Sequence, residues 1–242
     1  CSALLFFSYI LHSWIKAFLN IVLFVNCMEK AGSDRLLKGV LVVFLALFLI
    51  LYGFWFSVFH GEVFEKEFGE GLVDGKAKLE LHSGILDFLK GNGEISEVFD
   101  GREVAHMQDV QQVFSLLKSV ILFSVLVVVV VGGYLYHARK YNYKSFLRLL
   151  IYSGLIVDVM LLVFVAAIFL DFNGFFVWMH GLFFDPGTWI FPAESGLIQL
   201  YPLDFFMEMG TLVGRNLFLI ANLFIGAGLL IPSLKRRKWI FH

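Results

Sequence analysis

Two histidines stand where proton transfer at a membrane surface is feasible. His106 lies in GREVAHMQDVQQVF, directly before a long apolar run, and His180 lies inside FFVWMHGLFFDPG, an aromatic stretch soon broken by proline. Imidazole titrates near neutral pH, so it can take a proton from one reacting group and return it to another. Glu103 precedes His106 by three residues and Asp109 follows it by three. At helical spacing either carboxylate can orient the ring and raise its basicity. Read from the residues alone, a structural role stays open beside the chemical one, because a lone interfacial histidine is commonly just hydrogen-bonded.

Other chemistries fit less well. His60, His82, His106 and His180 all fall outside the apolar runs, but their spacing matches no HExxH-type ligand pattern, so no metal is expected. Ser83, Ser96 and Ser195 sit in no nucleophile-elbow context, and the only cysteines are Cys1 and Cys27. Acid–base chemistry without a covalent enzyme intermediate and without a cofactor remains. Trp189 and Arg215 are the candidates for holding a substrate. Arg215 sits near the end of the last apolar run, where it either snorkels to the surface or points at a substrate carbonyl.

The elements that must position these residues are membrane helices. Apolar residues make up 59% of the 242-residue chain and charged residues 16%, with a mean hydropathy of +0.81. A soluble domain carries about a quarter charged residues. Four runs exceed the length needed to span: Gly39 to Phe59, Ser119 to Tyr136, Leu149 to Leu170, and Leu212 to Ile231. No basic stripe with interleaved aromatics is present, which argues against nucleic acid as a partner. The expected fold class is an all-α integral membrane protein with four transmembrane helices, a small extracytoplasmic helical cap and an apolar interfacial segment.

Charge beside the spans sets the orientation. Lys30, Arg35 and Lys38 precede the first span, Arg139, Lys140, Lys144 and Arg148 fill the connection between the second and third, and Lys235 to Lys238 follow the fourth. Residues 171–211 contain no Lys or Arg, and residues 60–114 are rich in acids. Both termini are therefore expected inside and these two segments outside. In the first segment Leu79, Leu81, Ile85, Leu86 and Leu89 trace a short amphipathic helix ending at Gly91-Asn92-Gly93, and a second helix is expected to start near Glu103 and run into the second span. The second segment is apolar but interrupted by Pro186, Pro192 and Pro202, so it is expected to lie in the interface with Trp178, Trp189 and Tyr201. Residues 1–27 read as a doubtful apolar leader, either an extra span or translated upstream sequence, with Met28 as the expected start of a single membrane domain over 28–242.

Two motifs resemble the lipoprotein intramolecular transacylase (Lit) family. One is E-V-x-H-M-x-D-V-x-x-V-F from Glu103 to Phe114. The other runs from Phe175 to Phe206 and includes Met179-His180-Gly181-Leu182-Phe183-Phe184, Trp189-Ile190-Phe191-Pro192 and Tyr201-Pro202-Leu203-Asp204-Phe205-Phe206. The order of four spans and two outer segments agrees from Met28 onward. The chain departs at Asp185-Pro186-Gly187-Thr188, where the family shows Asn-Asp, and its nearest acid after the tryptophan step is Glu194. The resemblance implies a reaction on a lipoprotein whose N-terminal cysteine bears a diacylglyceryl thioether: the sn-2 acyl chain moves to the α-amine of that cysteine. It implies His106 and His180 as the catalytic pair, and membrane lipids as further partners. A membrane esterase, with water replacing the amine, and a non-enzymatic scaffold are the competing readings.

Overall fold

The structure is a computed structural model that describes residues 34–238, with side chains through residue 231 except at 67, together with residues 16, 19–23 and 25. The reading of residues 1–27 as a leader and the start at Met28 lie outside the described residues, apart from those few positions. The order of elements is α1 (Asp34–His60), a π-helical turn (Phe64–Phe68), β1 (Leu72–Val73), β2 (Lys76–Ala77), α2 (Lys78–Leu89), α3 (Gly101–His137), α4 (Tyr143–Leu170), α5 (Phe172–Phe183), α6 (Gly196–Leu200) and α7 (Leu203–Lys238).

Four of these helices, α1, α3, α4 and α7, are long and apolar enough to cross a membrane. Large apolar side chains such as Val129, Leu162, Phe169 and Leu223 stand exposed on them. In water that would be costly, whereas hydrocarbon solvates such a surface at no penalty. The third helix, α3, has 37 residues. At 1.5 Å per residue it reaches about 55 Å, well beyond a hydrocarbon core of about 30 Å. Its polar first turns, which carry Glu103, His106 and Asp109, therefore extend outside the apolar span.

The chain divides into two compact units. One takes residues up to Leu49, Ile121–Val157 and Ala221 onward. Its core is aliphatic, with Leu37, Leu41, Val131 and Leu135 fully buried. Helices α4 and α7 approach closely there: a Cβ on Gly154 would meet the Ala221 carbonyl oxygen at 2.7 Å, and one on Gly228 would meet Ile151 at 2.5 Å. Small residues at such a crossing replace the hydrophobic driving force that lipid removes. Ser153 adds a hydrogen bond to the Val42 carbonyl at 3.1 Å, and Lys140 pairs with Asp34 at 3.0 Å.

The other unit takes Ile50–Val120 and Asp158–Ile220 and holds every candidate site residue. Its core packs the short elements against the first turns of α3 and α7, around Phe64, Val73, Leu81, Ile85, Met107, Leu200 and Phe205. The helix expected from the leucine pattern is α2, closed by Gly91 and Gly93 in left-handed conformations. Before it, β1 and β2 form a hairpin through Asp74-Gly75, both at positive φ, as an Asp-Gly hairpin turn requires. His82 is buried at the end of this assembly, stacked 3.9 Å from Phe64 and 2.8 Å from the Tyr201 hydroxyl. That role is structural, and burial pushes its pKa down to about 4.

Candidate active site

The first turn of α3 is fixed by a reciprocal cap. The Asp100 carboxylate accepts from the backbone N–H groups of Arg102 at 2.7 Å and Glu103 at 2.9 Å, while Glu103 accepts from the Asp100 N–H at 2.8 Å. This is a capping box with Asp at the cap and Glu three residues on. The other Glu103 oxygen accepts from the backbone N–H of Leu197 at 2.9 Å. With both oxygens engaged this way, Glu103 orients the polypeptide around the site and not the His106 ring, which corrects the expectation drawn from its three-residue spacing.

Arg102 works beside it. Its guanidinium donates to the carbonyl oxygens of Ile190 at 3.2 Å and Gly187 at 3.4 Å and lies 5.7 Å over the Phe191 ring. The segment carrying Trp189 is thus tied on one flank by Arg102 and on the other by Glu103. Neither tie was legible in the sequence as a contact, although Asp100-x-x-Glu103 carries the capping-box pattern.

His180 comes from α5, whose start is capped by Asp171 accepting from the Gly174 N–H at 2.9 Å. Its Nδ1 lies 2.8 Å from the Phe176 carbonyl oxygen, one helical turn back. A carbonyl can only accept, so Nδ1 carries the proton, and Nε2 of the neutral ring keeps a free lone pair. The His106 and His180 rings lie 6.4 Å apart and within 24° of parallel. Phe184 at 4.9 Å and Phe191 at 5.6 Å wall His106, and Phe176 at 4.0 Å and Trp189 at 4.7 Å wall His180.

This cage sets the electrostatics. Burial holds both imidazoles below their usual pKa of 6.5. For His106 the neighbouring His180 adds to that effect and Asp109 opposes it through space; for His180 the Phe176 carbonyl opposes it. Both rings are therefore neutral at neutral pH. Two buried polar atoms in the cage, His106 Nδ1 and Trp189 Nε1, find no hydrogen-bond partner among the described residues. Orphaned buried groups are costly and commonly mark where a substrate atom belongs. Among the described residues no group of His, Cys, Asp or Glu is arranged to hold a metal.

The structure thus brings His106, His180 and Trp189 together, keeps Asp109 within electrostatic reach of His106, and uses Glu103 to hold the surrounding chain. Arg215 falls elsewhere. It lines a cavity with Glu62, Lys66 and Glu208 whose walls include neither histidine, so the structure does not bring it to the His106–His180 pair. Depth along a helix axis placed Arg215 near the interface, but rotation about that axis turned it to another neighbour.

A histidine pair in an aromatic cage, carried by a multi-pass helical membrane protein, is a candidate site for acid–base chemistry at a membrane. The family model described as lipoprotein intramolecular transacylase Lit matches residues 74–206. A relative from Aquifex aeolicus, itself described only as an uncharacterized protein, is 30% identical over 163 residues, covering 64% of this chain and 70% of its own. The solved structure of the membrane integral lipoprotein intramolecular transacylase Lit from Bacillus cereus is similar with a TM-score of 0.70 at 20% identity, covering 87% of this chain and 99% of that one. A structure of that enzyme with one histidine replaced by alanine is similar with a TM-score of 0.66 at 19% identity, covering 88% of this chain and 99% of the other. The chain belongs to the lipoprotein intramolecular transacylase (Lit) family, and it is an acyltransferase of lipoprotein lipid modification.

Proposed function

We propose that His106 and His180 carry the transfer of the sn-2 acyl chain of a diacylglyceryl cysteine to the α-amine of the same residue, at the extracytoplasmic face with both termini cytoplasmic. The observation that carries this reading is the pair of neutral, caged imidazoles beside two buried polar atoms without partners. The amine nitrogen attacks the ester carbonyl carbon, and His180 Nε2 takes one proton from it. The C–O bond to glycerol then breaks, and the departing oxygen takes a proton from the His106–His180 pair, which the amine proton replenishes. One proton leaves the amine and one arrives on glycerol, so the pair ends as it began. Trp189 Nε1–H, buried beside His180, is suited to donate to the oxygen that becomes negative in between. Because nucleophile and ester belong to one molecule, the site mainly orients them and moves a proton.

Purified His106→Ala and His180→Ala proteins, assayed on a diacylglyceryl-cysteinyl peptide, test this. Each should lose about two to four orders of magnitude of activity while accumulating normally, and the double variant should lose little more than either alone. Near-normal activity per molecule in a poorly accumulating His180→Ala protein would make that residue structural.

A further inference from the structure

The cavity that holds Arg215 is separate from the histidine cage and has its own chemistry. It encloses about 430 Å³ between the end of α1, the turn after it and the first third of α7. That volume falls in the range of small-molecule sites, roughly 300–1,000 Å³. From α7 it is lined by Glu208, Thr211, Leu212, Arg215 and Asn216. Their spacing puts them on one face of the helix.

The floor of the cavity is built and satisfied. The buried Ser57 hydroxyl donates to the Gly53 carbonyl at 2.8 Å and accepts from Asn216 Nδ2 at 2.9 Å. The rim is charged and unequally satisfied. Glu62 and Lys66 close an ion pair at 2.7 Å. Arg215 and Glu208 form no ion pair among the described residues, and Arg215 lies close enough to Lys66 for their charges to repel. His60 lines the same space; its Nδ1 lies 3.3 Å from the Phe56 carbonyl and so donates, which leaves Nε2 of the neutral ring as an acceptor.

Leaving His60 aside, the lining carries two cations and two carboxylates. Such a lining suits neither a simple anion nor a simple cation. An anion would gain from Arg215 and Lys66 but meet Glu208; an ammonium would gain from Glu208 but meet Arg215. A ligand carrying both charges a few ångströms apart satisfies both. The cavity opens where the α1 and α7 spans give way to polar sequence, the level at which lipid headgroups lie, with Phe56 and Leu212 on its apolar side. We propose that this cavity binds the headgroup of phosphatidylethanolamine, with the phosphate between Arg215 and Lys66 and the ammonium on Glu208 and His60. An ammonium that retains N–H groups is preferred over a quaternary one, because both of its partners are hydrogen-bond acceptors.

Native mass spectrometry of the purified full chain, delipidated in detergent and titrated with phosphatidylethanolamine, phosphatidylglycerol or phosphatidylcholine, tests this. Phosphatidylethanolamine should bind several-fold more tightly than the other two. Arg215→Gln should weaken it about tenfold, the usual scale for one charged hydrogen-bonding partner. Glu208→Gln should remove the preference over phosphatidylglycerol while leaving phosphatidylglycerol bound. Should Arg215→Gln fail to accumulate, Lys66→Gln, changed at an exposed side chain, should still weaken all three lipids. Equal binding of the three lipids, unchanged binding in Arg215→Gln or Lys66→Gln, or displacement of the lipid by inorganic phosphate alone would each overturn the proposal. The last result would mark a site for free anion.

Discussion

At the scale of single residues, the site depends on which nitrogen of each imidazole is free. His180 is held by the Phe176 carbonyl in the tautomer that leaves Nε2 unprotonated, which suits it to the proposed role of base. Its lowered pKa, and that of His106, has a consequence for pH dependence. In the proposed mechanism both groups act from the neutral form, so activity should be lost as pH falls through their folded pKa values, which lie below 6.5. The attacking α-amine, with a pKa of about 7.7–8, must also be deprotonated. In a plot of log kcat/KM against pH, the slope should be one from about pH 8 down to the histidine pKa values, then steepen. A steep slope already present above pH 6.5 would show that the cage does not depress the pair. The histidines themselves were legible in the sequence because imidazole is scarce beside apolar runs. Phe176 as a hydrogen-bond partner was not, because that contact comes from a backbone carbonyl and any residue could supply it.

At the scale of elements, the first turn of α3 organises the site. Asp100, Arg102 and Glu103 are consecutive or nearly so, yet between them they close the helix start, hold the Gly187–Phe191 stretch and anchor α6. Glu103 is 2% exposed, so removing it leaves the Leu197 N–H without its acceptor and opens the cap. Glu103→Ala should lower unfolding stability by about 2 kcal/mol, and Glu103→Gln, which keeps an acceptor oxygen, by about half that. Thermal unfolding of the purified proteins measures both. Unchanged stability together with lost activity would return Glu103 to the ring chemistry. The elements were read from the sequence where period and punctuation agree: the leucines of α2 before Gly91, and the apolar runs of the four long helices. The hairpin at Asp74-Gly75 and the π-helical turn at Phe64–Phe68 went unread, since two-residue strands and one irregular turn leave too few residues to show a period. The segment from Trp189 to Pro192 could be placed in the interface by composition, but the ties that bring its indole to His180 join residues about 90 positions apart.

At the scale of the whole molecule, the proposed histidine pair and the proposed headgroup cavity must face the same side of the membrane. The charge asymmetry beside the spans favours the proposed orientation, with both termini cytoplasmic and residues 60–114 and 171–211 outside. A reporter inserted at Gly91-Asn92-Gly93 should respond as extracytoplasmic, and one inserted near Asn142 as cytoplasmic. A cytoplasmic response at Gly91 would invert the arrangement and separate the site from its substrate.

The central claim is that an acyl chain moves within one lipoprotein molecule and is not lost to water. Mass spectrometry with fragmentation of a lipoprotein N-terminus, taken before and after incubation with the purified protein, reads this directly. Transfer gives an unchanged total mass, with one acyl chain shifted from glycerol to the α-amine, and His106→Ala should give no shift. Loss of the acyl chain, with the mass falling accordingly, would contradict transfer and make the protein an esterase.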